Sequence, residues 1–141
     1  MRRFLLTTAA ACALATVSVA GTQEAETCLR TKVWDGYADG WGIRTMTSTS
    51  LAKGKTRNYL VTLYKGNEYR IETCGDEDVR NVDVLLYDTQ GNVVKRDDTI
   101  DREPKLEFSP EETGTYYIVL YQRDIDVTKD EAGVAMAVVY R

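Results

Sequence analysis

The residues of this chain that could do chemistry are few, because its 141 residues include no histidine. Histidine is the commonest general base near neutral pH and a frequent metal ligand. No serine or threonine stands at a recognisable spacing from a base, and no glycine-rich loop could cradle a phosphate. The adjacent acids Asp97 and Asp98 lie in a charged loop, where carboxylates usually serve solubility. The sequence therefore predicts a non-catalytic protein, and a hydrolase is the least favoured alternative.

The cysteines predict a structural disulfide. Of the three in the chain, Cys12 lies in an N-terminal segment that we expect to be removed, which leaves Cys28 and Cys74 as an even pair. A disulfide between them would persist in an oxidising compartment. A redox-active pair would have the close Cys-x-x-Cys spacing, which is absent. We therefore expect the bond to join the N-terminal segment to the sheet.

The acidic loop before residue 82 is the best candidate for a metal site. Asp76, Asp78 and Asp83, with Asp97 or Asp98 across the next hairpin, offer the hard carboxylate oxygens that calcium prefers. The EF-hand spacing is absent, and loop solvation with backbone capping explains the same residues. Asp83 stands within an apolar strand, which favours a structural role as a hydrogen-bond acceptor. Calcium is thus one of two predictions for this loop, and no other cofactor is predicted.

Tyrosines supply the candidate binding surface. Nine of them are many for this length, and Tyr87, Tyr117 and Tyr121 stand on predicted strands. If their rings point outward from one sheet, they form a flat aromatic face of the kind that binds peptide or sugar polymers. The alternative is that the rings fill the core and its rim, with their hydroxyl groups in water. The sequence leaves both interpretations open.

Residues 1–20 have the pattern of a secretory signal peptide. Arg2 and Arg3 form a basic start, residues 4–17 are mostly small or apolar, and residues 18–20 suit a cleavage site. A twin-arginine address is a weaker interpretation, and lipidation of Cys12 stays an open alternative. The apolar run is too short to span a membrane, as is every later segment. We expect a periplasmic or secreted protein.

The charge of the chain narrows its partners. Cleavage after residue 20 removes two of the 18 basic residues and none of the 22 acidic ones, so the formal charge becomes −6. An acidic domain repels nucleic acid and anionic lipid surfaces. The remaining predicted partners are a protein or a polysaccharide, and the oligomeric state stays open.

The first element that must position these residues is a helix. Leu29, Val33 and Tyr37 recur every four positions, which predicts a short amphipathic helix over 24–39 that ends at Gly40. We expect its aromatic stripe, which includes Trp34, to pack on a sheet.

Eight short strands separated by turn signals predict an all-β fold, an antiparallel β-sandwich of jelly-roll type. Apolar residues on both faces of 57–64 predict an interior strand, whereas alternation in 68–74 predicts one face in water. A hairpin joins 82–87 to 92–95, and Gly91 can supply the positive φ of its turn. We expect one domain, built from a helix and first strand in 21–50 and a sandwich in 51–141. The eight predicted strands are 41–50, 57–64, 68–74, 82–87, 92–95, 105–109, 115–122 and 132–140.

Four segments over residues 50–140 resemble the bacterial pre-peptidase C-terminal domains. They are Leu-Ala-Lys-Gly-Lys at 51–55, Tyr-Arg-Ile-Glu at 69–72, the strand and turn at 81–91, and Phe-Ser-Pro-Glu-Glu-Thr-Gly-Thr-Tyr-Tyr-Ile at 108–118. The resemblance implies a jelly-roll-like accessory domain of the type that accompanies secreted hydrolases. Some domains of this family bind calcium or an extracellular polymer. We therefore predict a non-catalytic binding or accessory module of the bacterial cell envelope. The alternative is a structural component that acts through assembly.

Overall fold

The computed structural model describes residues 20–141, with Ala20 described by its backbone only. The predicted signal segment and Cys12 thus lie outside the described residues, apart from the backbone of Ala20. One helix precedes eight strands: α1 (Ala20–Tyr37), β1 (Gly42–Leu51), β2 (Thr56–Leu63), β3 (Tyr69–Gly75), β4 (Val79–Asp88), β5 (Val93–Asp97), β6 (Lys105–Phe108), β7 (Gly114–Ile125) and β8 (Ala132–Tyr140).

The strands form two four-stranded antiparallel sheets packed face to face. One sheet has the order β1-β8-β3-β6 and carries α1 on its outer face, so we call it the helix-covered sheet. The other has the order β2-β7-β4-β5, and we call it the open sheet. This architecture confirms the predicted all-β antiparallel sandwich of eight strands with one short N-terminal helix.

The main core lies between the two sheets. On β4 and β7, alternate side chains point inward, and Val82, Val84, Leu86, Ile118 and Leu120 are completely buried. Fully burying a side chain of this size contributes about 1.5–3 kcal/mol. The two strands that the sequence marks as most apolar therefore supply the inner surface of the open sheet.

A second core lies between α1 and the outer face of the helix-covered sheet. Leu29 and Val33 pack there with Cys74, Ala135 and Ala137, and the two alanines leave room for the helix. The expectation that one face of 68–74 is in water is wrong, because α1 covers that face. A long-range contact of this kind leaves no mark in the local sequence pattern.

Glycine allows the first turn of α1 to touch the start of β8. A Cβ atom on Gly133 would lie 2.4 Å from the carbonyl carbon of Gly21, which is too close for any side chain. The helix therefore rests backbone to backbone on the sheet at this point.

The C-terminal end of α1 is a Schellman motif. Gly40 has a φ of 83°, its N–H donates to the carbonyl of Tyr37, and the N–H of Trp41 donates to the carbonyl of Gly36. The motif ends the helix where Gly40 predicts it and turns Trp41 into the second core.

The position of β2 differs from its prediction. The sequence predicts an interior strand over 57–64, but β2 is an edge strand that pairs only with β7. Leu60 is 66% exposed on its outer face. Apolar residues on both faces of a strand thus have a second explanation, in which one of the two faces is left uncovered.

The predicted hairpin between β4 and β5 is confirmed. Gly91 has a φ of 83° in its turn, and Asp88 accepts hydrogen bonds from the backbone N–H groups of Gln90 and Asn92, each at 2.9 Å. These bonds, led by that of Asn92, lower the pKa of Asp88.

Candidate binding surfaces

A row of apolar side chains crosses the outer face of the open sheet. Leu60 pairs with Tyr117, Tyr117 with Tyr87, and Tyr87 with Val93, so the row includes one residue from each of the four strands. Leu60 is 66%, Tyr117 41% and Val93 45% exposed. We call this row, with its neighbours Leu85 and Val119, the open face.

The open face crosses the whole width of the open sheet. The four strands of that sheet have 8, 12, 10 and 5 residues, and at about 4.8 Å between strands its outer surface is about 19 Å wide with an area of roughly 550 Å². A standard interface buries about 800 Å² on each partner. Leu85 pairs with Val119 two residues along the strands from the pair of Tyr87 and Tyr117, so the apolar part of the face is continuous.

Of the three predicted tyrosines, two share this row and one lies apart. Tyr87 and Tyr117 are direct cross-strand neighbours. Tyr121 points from the same side of β7 but lies four residues, or about 13 Å, further along the strand. The guanidinium of Arg123 stacks on its ring, 4.3 Å from the ring centre. Whether these rings bind a ligand stays a prediction.

Asp83 faces the same side of the open sheet and is held by Arg123. Its Oδ2 accepts a hydrogen bond from Arg123 Nε at 2.6 Å, and that bond raises the pKa of Arg123. The carboxylate is almost fully buried, and its Oδ1 has no hydrogen-bond partner. Asp83 is thus a structural anion that depends on one arginine.

The other two predicted calcium ligands lie in a different part of the fold. Both oxygens of the buried Asp76 accept backbone hydrogen bonds, from Asp78 at 2.9 Å and from Gly133 at 2.7 Å. Asp78 lies 3.9 Å from Lys129. The structure therefore does not bring Asp76, Asp78 and Asp83 together as a ligand set. Calcium binding by carboxylates of this loop stays a prediction.

The predicted disulfide between Cys28 and Cys74 is confirmed. It joins the middle of α1 to β3. Glu103 Oε1 lies 3.0 Å from the Cys28 sulfur and 3.6 Å from the Cys74 sulfur, but a disulfide has no proton to donate, so these are close contacts. Lys32 balances the carboxylate at 3.5 Å. Within residues 20–141 these two sulfurs and Glu103 form the one cluster with metal-ligand spacing, and the disulfide occupies both sulfurs.

The aromatic residues of α1 do not pack on the sheet as predicted. Trp34 is 75% exposed and Tyr37 is 49% exposed. Their rings meet edge to face, with centroids 5.8 Å apart. The helix uses Ala25, Leu29 and Val33 for packing instead, which leaves the aromatic pair pointing outward.

A groove of about 720 Å³ opens at the end of the sandwich where β3 begins. Its two arginines are already engaged: Arg70 binds Glu107 at 3.1 Å, and Arg141 binds Glu68. Both also stack on the ring of Trp41. Glu68 and Glu107 are thus held by arginines, whereas Glu111 and Glu112 line the rim of the groove without an ion pair among the described residues.

Within the part of the chain that is described, no helix combines the length and hydrophobicity that a membrane crossing requires.

Comparisons with known proteins identify the fold. No protein-family model matches the chain, and no curated protein matches it. PliG from Aeromonas hydrophila, a periplasmic inhibitor of g-type lysozyme, is 16% identical with a TM-score of 0.53, over 69% of this chain and 85% of PliG. The pre-peptidase C-terminal domain of a Bacillus anthracis collagenase is 17% identical with a TM-score of 0.54, over 69% of this chain and 90% of that domain. The resemblance drawn from the sequence is thus confirmed for the fold.

Proposed function

We propose that this chain is an exported, non-catalytic protein-binding module that docks a partner protein on the open face. The observation that carries the proposal is the difference between the two sheets. Helix α1 covers the outer face of one sheet, whereas the other leaves Leu60, Tyr117 and Val93 in water. A continuous apolar patch of this kind on a folded domain usually marks an interaction site.

The composition of the open face favours a protein over a glycan. Leu60, Leu85, Val93 and Val119 are aliphatic and offer nothing to the hydroxyl groups of a sugar. Together with Tyr87 and Tyr117 they resemble the mixed aliphatic and aromatic centre of a protein interface.

Three further observations support an exported and non-catalytic role. The disulfide between Cys28 and Cys74 is of the kind that persists in oxidising compartments. The chain also lacks histidine, and the similar folds are those of a periplasmic lysozyme inhibitor and a pre-peptidase C-terminal domain. A g-type lysozyme is therefore the first partner to assay, by binding and by inhibition.

The test compares matched surface variants. Leu60→Asp and Tyr117→Ser change the open face, and Ile100→Asp changes a loop residue that is 88% exposed. Binding to a g-type lysozyme is measured by calorimetry, and an envelope extract supplies further partners, whose purified affinities are then measured. Truncating a central interface residue costs about 2 kcal/mol or more, so both face variants should weaken binding about thirtyfold while the loop variant does not.

Three results would contradict the proposal. The first is equal binding by the wild type and the Leu60→Asp variant. The second is an equal loss in the Ile100→Asp variant, which would indicate general adhesion. The third is a stable wild-type dimer by light scattering that Leu60→Asp dissociates, because the open face would then join two copies of this chain.

A further inference from the structure

We propose that the aromatic pair Trp34 and Tyr37 on α1 is a docking site for a lysine or arginine side chain on a basic segment of a protein partner. It lies on the covered side of the sandwich, away from the open face, so it is a second site that does not depend on the first. Asp35 and Asp39 are acidic residues adjacent to the pair in the chain.

The aromatic pair is placed as a binding site would be. Trp34 is 75% exposed and its ring meets that of Tyr37 edge to face, so two rings stand fixed in water with no apolar cover. Tryptophan and tyrosine dominate the residues that contribute most to protein interfaces. The Schellman motif at Gly40 fixes the end of the helix beneath them.

The charge around the pair selects a cation. Neither Asp35 nor Asp39 has an ion pair with any residue that the structure describes. The last turn of α1 contains no basic residue. Arg141 donates to the carbonyl of Asp39 at 3.4 Å, but its charge is balanced by Glu68. The faces of aromatic rings are also electronegative, so the two carboxylates and the rings favour a cation.

The chain's own cations do not occupy this site. Over the described residues, arginines stack on Tyr64, Trp41 and Tyr121, whereas Trp34 has no cation above its ring. The nearest basic residue on the helix face, Arg30, approaches Glu26 instead. The buried tryptophan thus has arginine partners and the exposed one has none, although tryptophan is the best side chain for this contact.

A basic protein segment fits these properties better than the other possible occupants. An anionic lipid surface would be repelled by the two carboxylates and by the acidic charge of the whole domain. A neutral glycan would stack on the rings but would gain nothing from the carboxylates. A basic segment can place one lysine or arginine on the rings while its other cations are attracted by the neighbouring acids.

Octa-arginine peptide is the probe, titrated calorimetrically into the full chain at low salt and at 0.15 M salt. We expect Trp34→Ala to weaken its binding about two- to fivefold and Trp34→Phe to weaken it less. Asp35→Asn combined with Asp39→Asn should also weaken it. Glu111→Gln combined with Glu112→Gln is the control, because it removes the same charge from the groove rim.

The controls separate a defined site from general attraction to an acidic protein. Leu60→Asp should leave peptide binding unchanged, so a failure of the open face would not affect the result. The proposal is overturned if the wild type does not bind the peptide, or if Trp34→Ala binds it as well as the wild type. It is also overturned if the Glu111 and Glu112 control loses as much affinity as the Asp35 and Asp39 variant.

Discussion

Removal of the Cys28–Cys74 disulfide should cost this domain a large part of its stability. The bond closes a loop between residues 46 positions apart, and the chain-entropy model gives about 4 kcal/mol for a loop of that length. Cys74 is fully buried, so replacing both cysteines by alanine also leaves a small void, which adds about 1 kcal/mol. Domains of this size have about 5–15 kcal/mol in total.

The assay is reversible urea unfolding followed by tryptophan fluorescence, with a thermal scan beside it. The Cys28→Ala/Cys74→Ala variant should lose about 4–5 kcal/mol of unfolding free energy, and its melting temperature should fall by about 15 °C. Wild type reduced with a phosphine should show the loop contribution without the void. A phosphine is preferred because Glu103 lies beside the Cys28 sulfur and would repel a thiolate reductant.

A loss below about 1 kcal/mol in both the variant and the reduced wild type would refute the reasoning, since the loop term alone should exceed it. A loss in the alanine variant with none in the reduced protein would refute the loop contribution specifically. In that case the cost would come from packing around Cys74.

Three further predictions concern stability. Gly133→Ala should destabilise by about 1–3 kcal/mol, because its methyl group would meet the backbone of Gly21; urea unfolding checks this, and an unchanged midpoint would contradict the contact. Arg123→Met should destabilise the protein because it removes the hydrogen-bond donor of the buried Asp83 carboxylate. Adding Asp83→Asn should restore stability in a double-mutant cycle. Because the folded pKa of Asp88 is lowered, its contribution should be present at neutral pH and lost as pH falls below about 4. Asp88→Ala should flatten that acid limb, and an identical limb would contradict it.

The sequence predicts the order and type of the elements because their signals are local. Gly91 marks a hairpin turn and adopts the positive φ that this turn predicts, and Gly40 follows the end of the helix as predicted. The paired cysteines were found from their number and compartment alone. In each case the information lies within a few residues or in a simple count.

The failures arise where a distant element decides burial. The face of β3 that carries Cys74 is dry because α1 covers it, and the outer face of β2 is exposed because nothing described covers it. Periodicity shows which residues share a face but not whether that face has a cover. The exposure of Trp34 follows from the same limit, since the helix buries a narrower stripe than its apolar pattern implies.

The candidate calcium ligands Asp76 and Asp83 have separate hydrogen-bond partners for a related reason. Asp76 lies in the loop between β3 and β4 whereas Asp83 lies on β4, and their partners are Gly133 and Arg123, respectively. A buried carboxylate in a β protein is satisfied by whatever donor the tertiary fold brings near. Only the neighbouring strands, β7 and β8, identify those donors.

The central position of β8 in the helix-covered sheet affects how fast this protein folds. It lies between β1 and β3. Its pairing with β1 brings Tyr140 next to Gly42, two residues that are far apart in the sequence. Such non-local pairing makes folding slow, on the order of milliseconds to seconds. Until this strand arrives, β1 and β3 lack their shared neighbour and α1 lacks most of the surface on which it rests. We therefore expect the second core to close only after β8 has paired with its neighbours.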